Sequence, residues 1–454
     1  MTTTPLVSLQ APKDVSIDDI DRELREIWQS YSMGDEGLAA TRAATFSFLV
    51  YEPDGTQQLL AALGFYTGPI DGIAGPRTTA AVQAAQKACG LETTGKSSSE
   101  LLAKLQEEFA KVKEKDAQTS ENLTSAMKYA PDLEGSAVAD AIAAANPCRI
   151  ITLCPTVGED EGVSAQVSAY CPIQKRGGTT LVCCEYITLK GTAAALERVG
   201  GIISALLIPG LPKFIWWKAT PAPEHPLFQR LIQNCDSLIV DSSGFNQPEA
   251  ELRAIGDFIN KGTAIADLNW RRIAAWQELA AEAYDPPERR SGIREVDRVT
   301  VDYEKGNPAQ AFMYLGWLAS RLGWTPVDYE REEGDYDIRR IKLVGRENQA
   351  IEAELAGIPT ADWGDIPGDL MSLKLASTNP KADAGTVLCS ETAGCMRMEA
   401  GGGAQSYRIQ QVTSLFDQKT EELLAQQLQR WGREVLYEES MNVTAQILKL
   451  ASQE

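Results

Sequence analysis

The apolar positions repeat with different periods along the chain, and each period predicts a different element. Ile17, Ile20, Leu24, Ile27 and Trp28 recur at helical spacing, and Ser16 with Asp19 forms a capping-box pattern at their start. Residues 44–51 are a strand-like apolar run, broken by Pro53, Asp54 and Gly55. An Ala-rich helix is expected over 133–145 and a buried strand over 149–154. Residues 163–171 alternate, with Val163, Ala165, Val167, Ala169 and Cys171 on one face, and 181–189 read as another strand. Leu196, Val199, Ile203 and Leu206 stripe a helix, and strands at 214–217 and 237–240 flank a helix near Phe228. This order predicts an α/β domain with a mixed sheet. Beyond Asn269 come helices at 272–283 and 309–322 and alternating strands near 296–303 and 338–344. A long terminal helix from about Leu415 carries Phe416, Leu423, Leu424, Leu428, Trp431 and Val435 on its stripe. The second half is therefore α+β, and the fold class is α/β and α+β multidomain.

Between the first strand and the Ala-rich helix the texture changes. Short helices are expected over 57–63, from Pro76 to before Gly90, and over 98–105, with a Gly-rich loop after the first. About fifty residues in three helices make a small self-contained unit. Gln58, Leu63, Gly64, Tyr66, Gly68, Asp71, Gly72, Gly75, Thr78, Ala81, Val82, Gln86, Gly90, Leu91, Thr94 and Gly95 carry a pattern that resembles the peptidoglycan-binding-like module. In its loop Gly68, Gly72 and Gly75 suit positive-φ positions, and Asp71 suits the bonding of loop amides. The expected organisation is 1–52 as the N-terminal helix and first strand of the α/β domain and 53–106 as the inserted three-helix module. A charged linker follows over 107–130, then the α/β domain continued over 131–268 and the C-terminal α+β domain over 269–454.

The 44% hydrophobic and 23% charged content is that of a globular chain of 454 residues, long enough for two or three domains. A net charge of -20 argues against nucleic acid or an anionic membrane as partner, both of which favour basic patches. No basic n-region with an apolar h-region opens the chain, and the apolar stretch 200–211 is too short to span a bilayer. A cytoplasmic location follows, in which the nine cysteines read as mostly reduced thiols. One histidine, His225, and no C-x-x-C argue against structural zinc, and no cofactor is expected.

Three motifs suggest chemistry. Residues 90–97 satisfy the P-loop pattern G-x-x-x-x-G-K-S, but a helix precedes them where a strand is required, and the module's own pattern accounts for them. Residues 392–398 resemble the L,D-transpeptidase signature around Cys395, yet Ala393 stands where that signature has its histidine, so the thiol has no base. Cys389 and Cys395, with a glycine between them, are close enough for a short disulfide loop; the bland alternative is two packed thiols. Trp216 and Trp217 end a strand, one expected in the core and the other exposed. His225, among prolines, reads as a loop or cap residue.

Several stretches outside the module, in order, carry a second resemblance: 146–155, 200–221, 236–243, 266–287 and 311–324. Together they resemble the glucose-6-phosphate dehydrogenase assembly (OpcA) family, in a cyanobacterial-type form with the inserted module. The resemblance implies a protein without catalysis of its own that binds the dehydrogenase oligomer, assists its assembly and raises its activity. Trp217, Trp270, Arg271 and Arg272 are the expected contact residues, since Trp and Arg concentrate binding energy. Redox control through Cys389 and Cys395, with thioredoxin as a partner, is a further expectation. The alternative reading is a cell-wall-associated peptidoglycan-binding protein or an L,D-transpeptidase-like enzyme.

Overall fold

The computed structural model describes residues 6–32, 39–42, 44–53, 55–66, 76–116, 147–156, 159–172, 180–221, 223–287, 289–334, 336–359, 366, 368–379, 381–390, 395–402, 409–414 and 420–452. Two sheets organise it. The first joins β1 (Leu6–Val15), β2 (Ala39–Arg42), β3 (Ser47–Tyr51), β4 (Arg149–Pro155), β5 (Ser164–Pro172), β6 (Thr180–Gly191), β7 (Lys213–Trp217), β8 (Ser237–Val240) and β9 (Ile265–Asp267). Its order is β1-β5-β6-β4-β3-β7-β8-β9, with β2 added to β6. From β6 to β9 every pairing is parallel, while β1 and β5 run antiparallel.

A parallel sheet is buried on both faces, which is why β3 and β7 read as unbroken apolar runs. Leu49, Tyr51, Ile151, Trp217 and Val240 pack on one face, and Phe48, Val50, Ile150, Trp216 and Ile239 on the other. Both tryptophans of the pair are therefore core residues, against the expectation that one would be exposed. Helix α1 (Ile20–Ser32) follows a short 3-10 turn and buries Ile20, Leu24 and Ile27. The expected capping box does not form there, because Ser16 makes no side-chain cap bond and its carbonyl takes the Asp19 amide instead.

Between β3 and β4 the chain forms α2 (Gly55–Ala62), α3 (Pro76–Ala88) and α4 (Ser99–Asp116) around a separate small core of Leu59, Leu60, Val82, Ala85, Leu101 and Leu105. The expected helix at 133–145 lies outside the described residues. After β6 come α5 (Ala193–Arg198) and α6 (Gly200–Leu206), then α7 (Pro226–Ile232), α8 (Pro248–Asn260), α9 (Leu268–Arg272) and α10 (Ala274–Tyr284).

The second sheet has order β11-β12-β13-β10-β14-β15-β16-β17. Its strands are β10 (Arg298–Glu304), β11 (Thr325–Glu332), β12 (Asp337–Val344), β13 (Ala350–Ile358), β14 (Leu370–Ala376), β15 (Asp383–Ser390), β16 (Cys395–Gly402) and β17 (Ile409–Ser414). Only β10 and β13 pair in parallel, and the chain between them passes through helix α11 (Ala309–Leu322), β11 and β12.

The terminal helix is two helices. Helix α12 (Thr420–Gln427) and helix α13 (Val435–Ala451) are separated at Gly432. Leu423 and Leu424 of the first, and Leu428 just beyond it, pack under the first sheet. Phe416 lies outside the described residues. No helix among the described residues is long and apolar enough to cross a membrane.

Candidate functional site

At the carboxyl ends of β3 and β7, Tyr51 and Trp217 are register partners. Their rings stack with centroids 3.8 Å apart and planes 12° from parallel. Phe228 packs on Trp217 at 4.7 Å, and His225 meets Tyr51 and Trp217 edge-on at 5.8 and 5.5 Å. The single histidine is a helix cap: its Nδ1 accepts the Phe228 amide at 3.3 Å at the start of α7, where Pro226 takes the first helical position. Its Nε2 faces the Tyr51 hydroxyl at 3.4 Å. One residue further along each strand, Lys218 Nζ donates to Glu52 at 3.1 Å and sits 4.9 Å over the Trp216 ring. Burial pushes the nearby Cys154 thiol up to about 11, with Glu52 adding to the effect, so it is not a thiolate at neutral pH. Burial likewise pushes Glu251 up to about 7, against the bond donated by Thr220. An imidazole committed to capping and a protonated thiol make no nucleophile and base pair.

A second polar cluster joins the two sheets. Asp267 Oδ1 accepts the amides of Ser242 at 3.0 Å and Asn269 at 2.9 Å. Asn307, before α11, donates to the carbonyls of Ser242 and Ser243 at 2.8 and 2.9 Å, and Gln310 donates to Asn269 at 2.9 Å and Asp369 at 2.5 Å. Burial, then the Asp241 charge, pushes Asp267 up to about 6. Burial would raise Asp241 as well, but the Arg272 guanidinium and the Ser243 bonds outweigh it and hold Asp241 below the usual carboxylate range. Each member has partners inside the protein, so the cluster is a latch between domains.

This latch absorbs the expected contact residues. Arg272 forks onto Asp241 at 2.8 and 2.9 Å and reaches Thr420 of α12 at 3.3 Å. Arg271 donates to Gln427 at 2.8 Å and pairs with Glu434 at 3.4 Å. Trp270 packs against Tyr437 at 5.6 Å, and Trp217 is 1% exposed. Trp217, Trp270, Arg271 and Arg272 are thus buried and do not form a contact surface. The return of α12 and α13 onto the first domain covers Trp270, Arg271 and Arg272 on α9, while Trp217 is covered by Tyr51, His225 and Phe228.

Among the described residues the exposed large apolar side chains are Val327, Tyr336, Trp431, Val435 and Leu436. Trp431 is 66% exposed, and Val435 and Leu436 beside it are also open to solvent. Trp431 Nε1 donates to the Leu428 carbonyl at 3.0 Å, and Arg433 beside it pairs with Glu438 at 2.7 Å. The helical stripe of Leu423, Leu424 and Leu428 does not continue through Trp431 and Val435 as expected, because the helix ends at Gln427. Gly432, inside the break that follows, is the local signal against one continuous helix.

The remaining motifs are placed as follows. Gly68, Asp71, Gly72 and Gly75 lie outside the described residues. The P-loop-like segment follows a helix, and Gln86 bonds its amides: Oε1 accepts from Thr94 and Gly95, each at 2.9 Å, leaving neither for phosphate. Cys389 and Cys395 stand on β15 and β16, whose register pairs Cys389 with Met396 and Cys395 with Ser390. Successive strand residues alternate faces, so the two positions are one step out of register for a direct bridge. Their side chains lie outside the described set. Cys89, Cys154 and Cys235 are thiols, Cys148 and Cys184 share a side-chain hydrogen bond, and Cys183 is disulfide-bonded, against the expectation of mostly reduced thiols. No cluster of three or more metal-ligating side chains occurs among the described residues.

Comparison with known proteins bears on the whole chain. Residues 139–257 match the family model described as glucose-6-phosphate dehydrogenase subunit N-terminal domain, and 263–441 its C-terminal domain. Residues 56–105 match the peptidoglycan binding domain model. Curated relatives bear the name OxPP cycle protein OpcA. That of Synechocystis sp. is 61% identical, covering 99% of this chain and 96% of its own. That of Nostoc punctiforme is 59% identical, covering 100% and 97%. Among solved structures, a dehydrogenase from Chromobacterium violaceum matches at 11% identity, TM-score 0.36, over 58% of this chain and 84% of its own. An NAD binding oxidoreductase from Klebsiella pneumoniae matches at 9% identity, TM-score 0.36, over 59% and 83%. These last values are too low to carry a conclusion. End-to-end identity with relatives of one name, and both domain models in order, show that this chain belongs to the OpcA family.

Proposed function

We propose that the chain is a cytoplasmic assembly factor and allosteric activator of glucose-6-phosphate dehydrogenase, without catalysis of its own, supporting the oxidative pentose phosphate pathway. The observation that carries this reading is the match of both domain models, described as subunit domains of that dehydrogenase, across 139–257 and 263–441. The capped His225 and the protonated Cys154 support a role by contact, not by chemistry. With the four earlier candidates buried, the docking surface is assigned to the corner of Trp431, Val435 and Leu436, where an exposed indole offers a binding anchor. The inserted module acts as a spacing or contact unit.

Thiol control forms part of the proposal. A Cys389–Cys395 disulfide, formed when a two-electron oxidant such as peroxide or an oxidised thioredoxin takes two electrons and two protons from the thiols, requires the β15–β16 pairing to slip by one residue and would reshape the hairpin. A thioredoxin would reverse it, its two thiols passing two electrons and two protons to the bond.

The test mixes the purified protein with purified glucose-6-phosphate dehydrogenase and follows co-elution on sizing and NADPH production across substrate concentrations. Co-elution with a lowered half-saturation or a raised rate is expected. Absence of both, in oxidised and reduced protein alike, sinks the reading.

A further inference from the structure

The parallel strands of the first sheet run β6-β4-β3-β7-β8-β9. Counted in chain order from β3, that is 3-2-1-4-5-6, the order of the dinucleotide-binding fold, whose ligand lies outside the carboxyl ends of the strands where the order reverses. Here that switch point is between β3 and β7. Such a site needs a glycine-rich turn after the first strand, a free helix N-terminus for the pyrophosphate and an acidic residue for the ribose after the second strand.

The residues present do not fit that ligand. After Tyr51 come Glu52 and Pro53, with no glycine before Gly55. The Glu52 carboxylate stands at the turn and is paired with the buried Lys218 from the end of β7. Helix α2 begins at Gly55, but its first turn faces the module: Thr56, Gln57 and Gln58 are buried. Thr56 Oγ1 lies 3.0 Å from Ser97 Oγ, and Gln57 donates to Thr78 at 3.2 Å. The second strand, β4, ends on Cys154 and Pro155 without an acid, and Glu159 beyond it is paired with Lys96 of the module. Beside the switch point, Tyr51, Trp217, His225 and Phe228 are all buried.

We infer that the first sheet is a dinucleotide-binding framework whose cofactor site is filled from within, so the chain takes no nicotinamide dinucleotide. The module sits in the crossover that would carry the phosphate-binding turn and its helix. That segment has exchanged a cofactor for a protein module, and this holds whichever partner the chain serves.

The experiment titrates the full chain with NADP+, NADPH and NAD+ to millimolar concentration, following the thermal midpoint and tryptophan emission. All three are expected to leave both unmoved, with the dehydrogenase as the positive control. Glu52→Gly, which removes the charged side chain and supplies a glycine at the turn, is expected to gain no binding, because Thr56 and Gln57 still bury the helix start. Saturable binding of any of the three, by the wild type or by Glu52→Gly, overturns the inference.

Discussion

Two tryptophans mark opposite regimes in this molecule. Trp217, at the carboxyl end of β7, is stacked on Tyr51, edged by His225 and Phe228 and closed off from water. Trp431, at the break between α12 and α13, lies open beside Val435 and Leu436. The same side chain that suits a binding hot spot is at one place filler of a sealed crevice and at the other an unpartnered surface. Residue type therefore nominates contact residues, and what covers them decides. At α9 the cover is the chain's own C-terminus.

Substitution separates the two regimes. Trp217→Ala empties the stack and is expected to cost about 3–5 kcal/mol of folding stability, read as a lowered denaturant midpoint. A midpoint near the wild-type value would break the comparison on its buried side. Asp267→Asn probes the latch that buries the false candidates. With its carboxyl raised to about 6 by burial, the folded protein keeps a proton that the unfolded chain has lost. That contribution is complete below about pH 4 and is lost as pH rises through about 6, up to ~3 kcal/mol for a shift of about two units. Asp241, held low, contributes in the opposite sense, so the variant and the wild type are compared across pH 4 to 8. A variant curve with the wild-type slope refutes the assignment.

Trp431→Ala works on the open side. It is expected to change folding by no more than about 0.5 kcal/mol. Dehydrogenase binding is expected to weaken by about 2 kcal/mol, roughly thirty-fold, measured by titration calorimetry. Unchanged affinity, with the wild type still binding, removes the corner from the interface and leaves the activator reading standing. The smallest effect concerns the cysteines. Cys389→Ser is expected to match the wild type in dehydrogenase activation under reducing conditions and to differ from it only after oxidation. Equal activation in both states ends the proposed thiol control.

Much of the architecture was legible in local pattern. The unbroken apolar runs of β3, β4 and β7 declared strands buried on both faces, and the glycines and spacing of 57–105 declared the module. The second sheet was harder. Only β10 and β12 of its strands are expected from the pattern; β11 and β13, on either side of β12, carry charged residues such as Asp328 and Glu354 on the outer face, in cross-strand ion pairs with Lys342 and Arg340. β1 was missed for a similar reason: Leu6 to Val15 is irregular, and its place is set by β5, over a hundred residues away. The site was less legible still. Nothing local distinguishes Arg271, turned onto Gln427, from an arginine on the surface.

By itself the sequence determined periodicity, the module and membership of a family, because spacing, turn residues and family resemblance are properties of short stretches read in order. Three further matters were decided only by tertiary structure. The strand order 3-2-1-4-5-6 depends on which strands lie side by side. The filling of the switch point depends on Glu52 meeting Lys218 across two strands. The burial of Trp270, Arg271 and Arg272, and the exposure of Trp431, depend on a C-terminal segment folding back over about 150 residues of chain, a contact between parts too distant in sequence for any local pattern to carry.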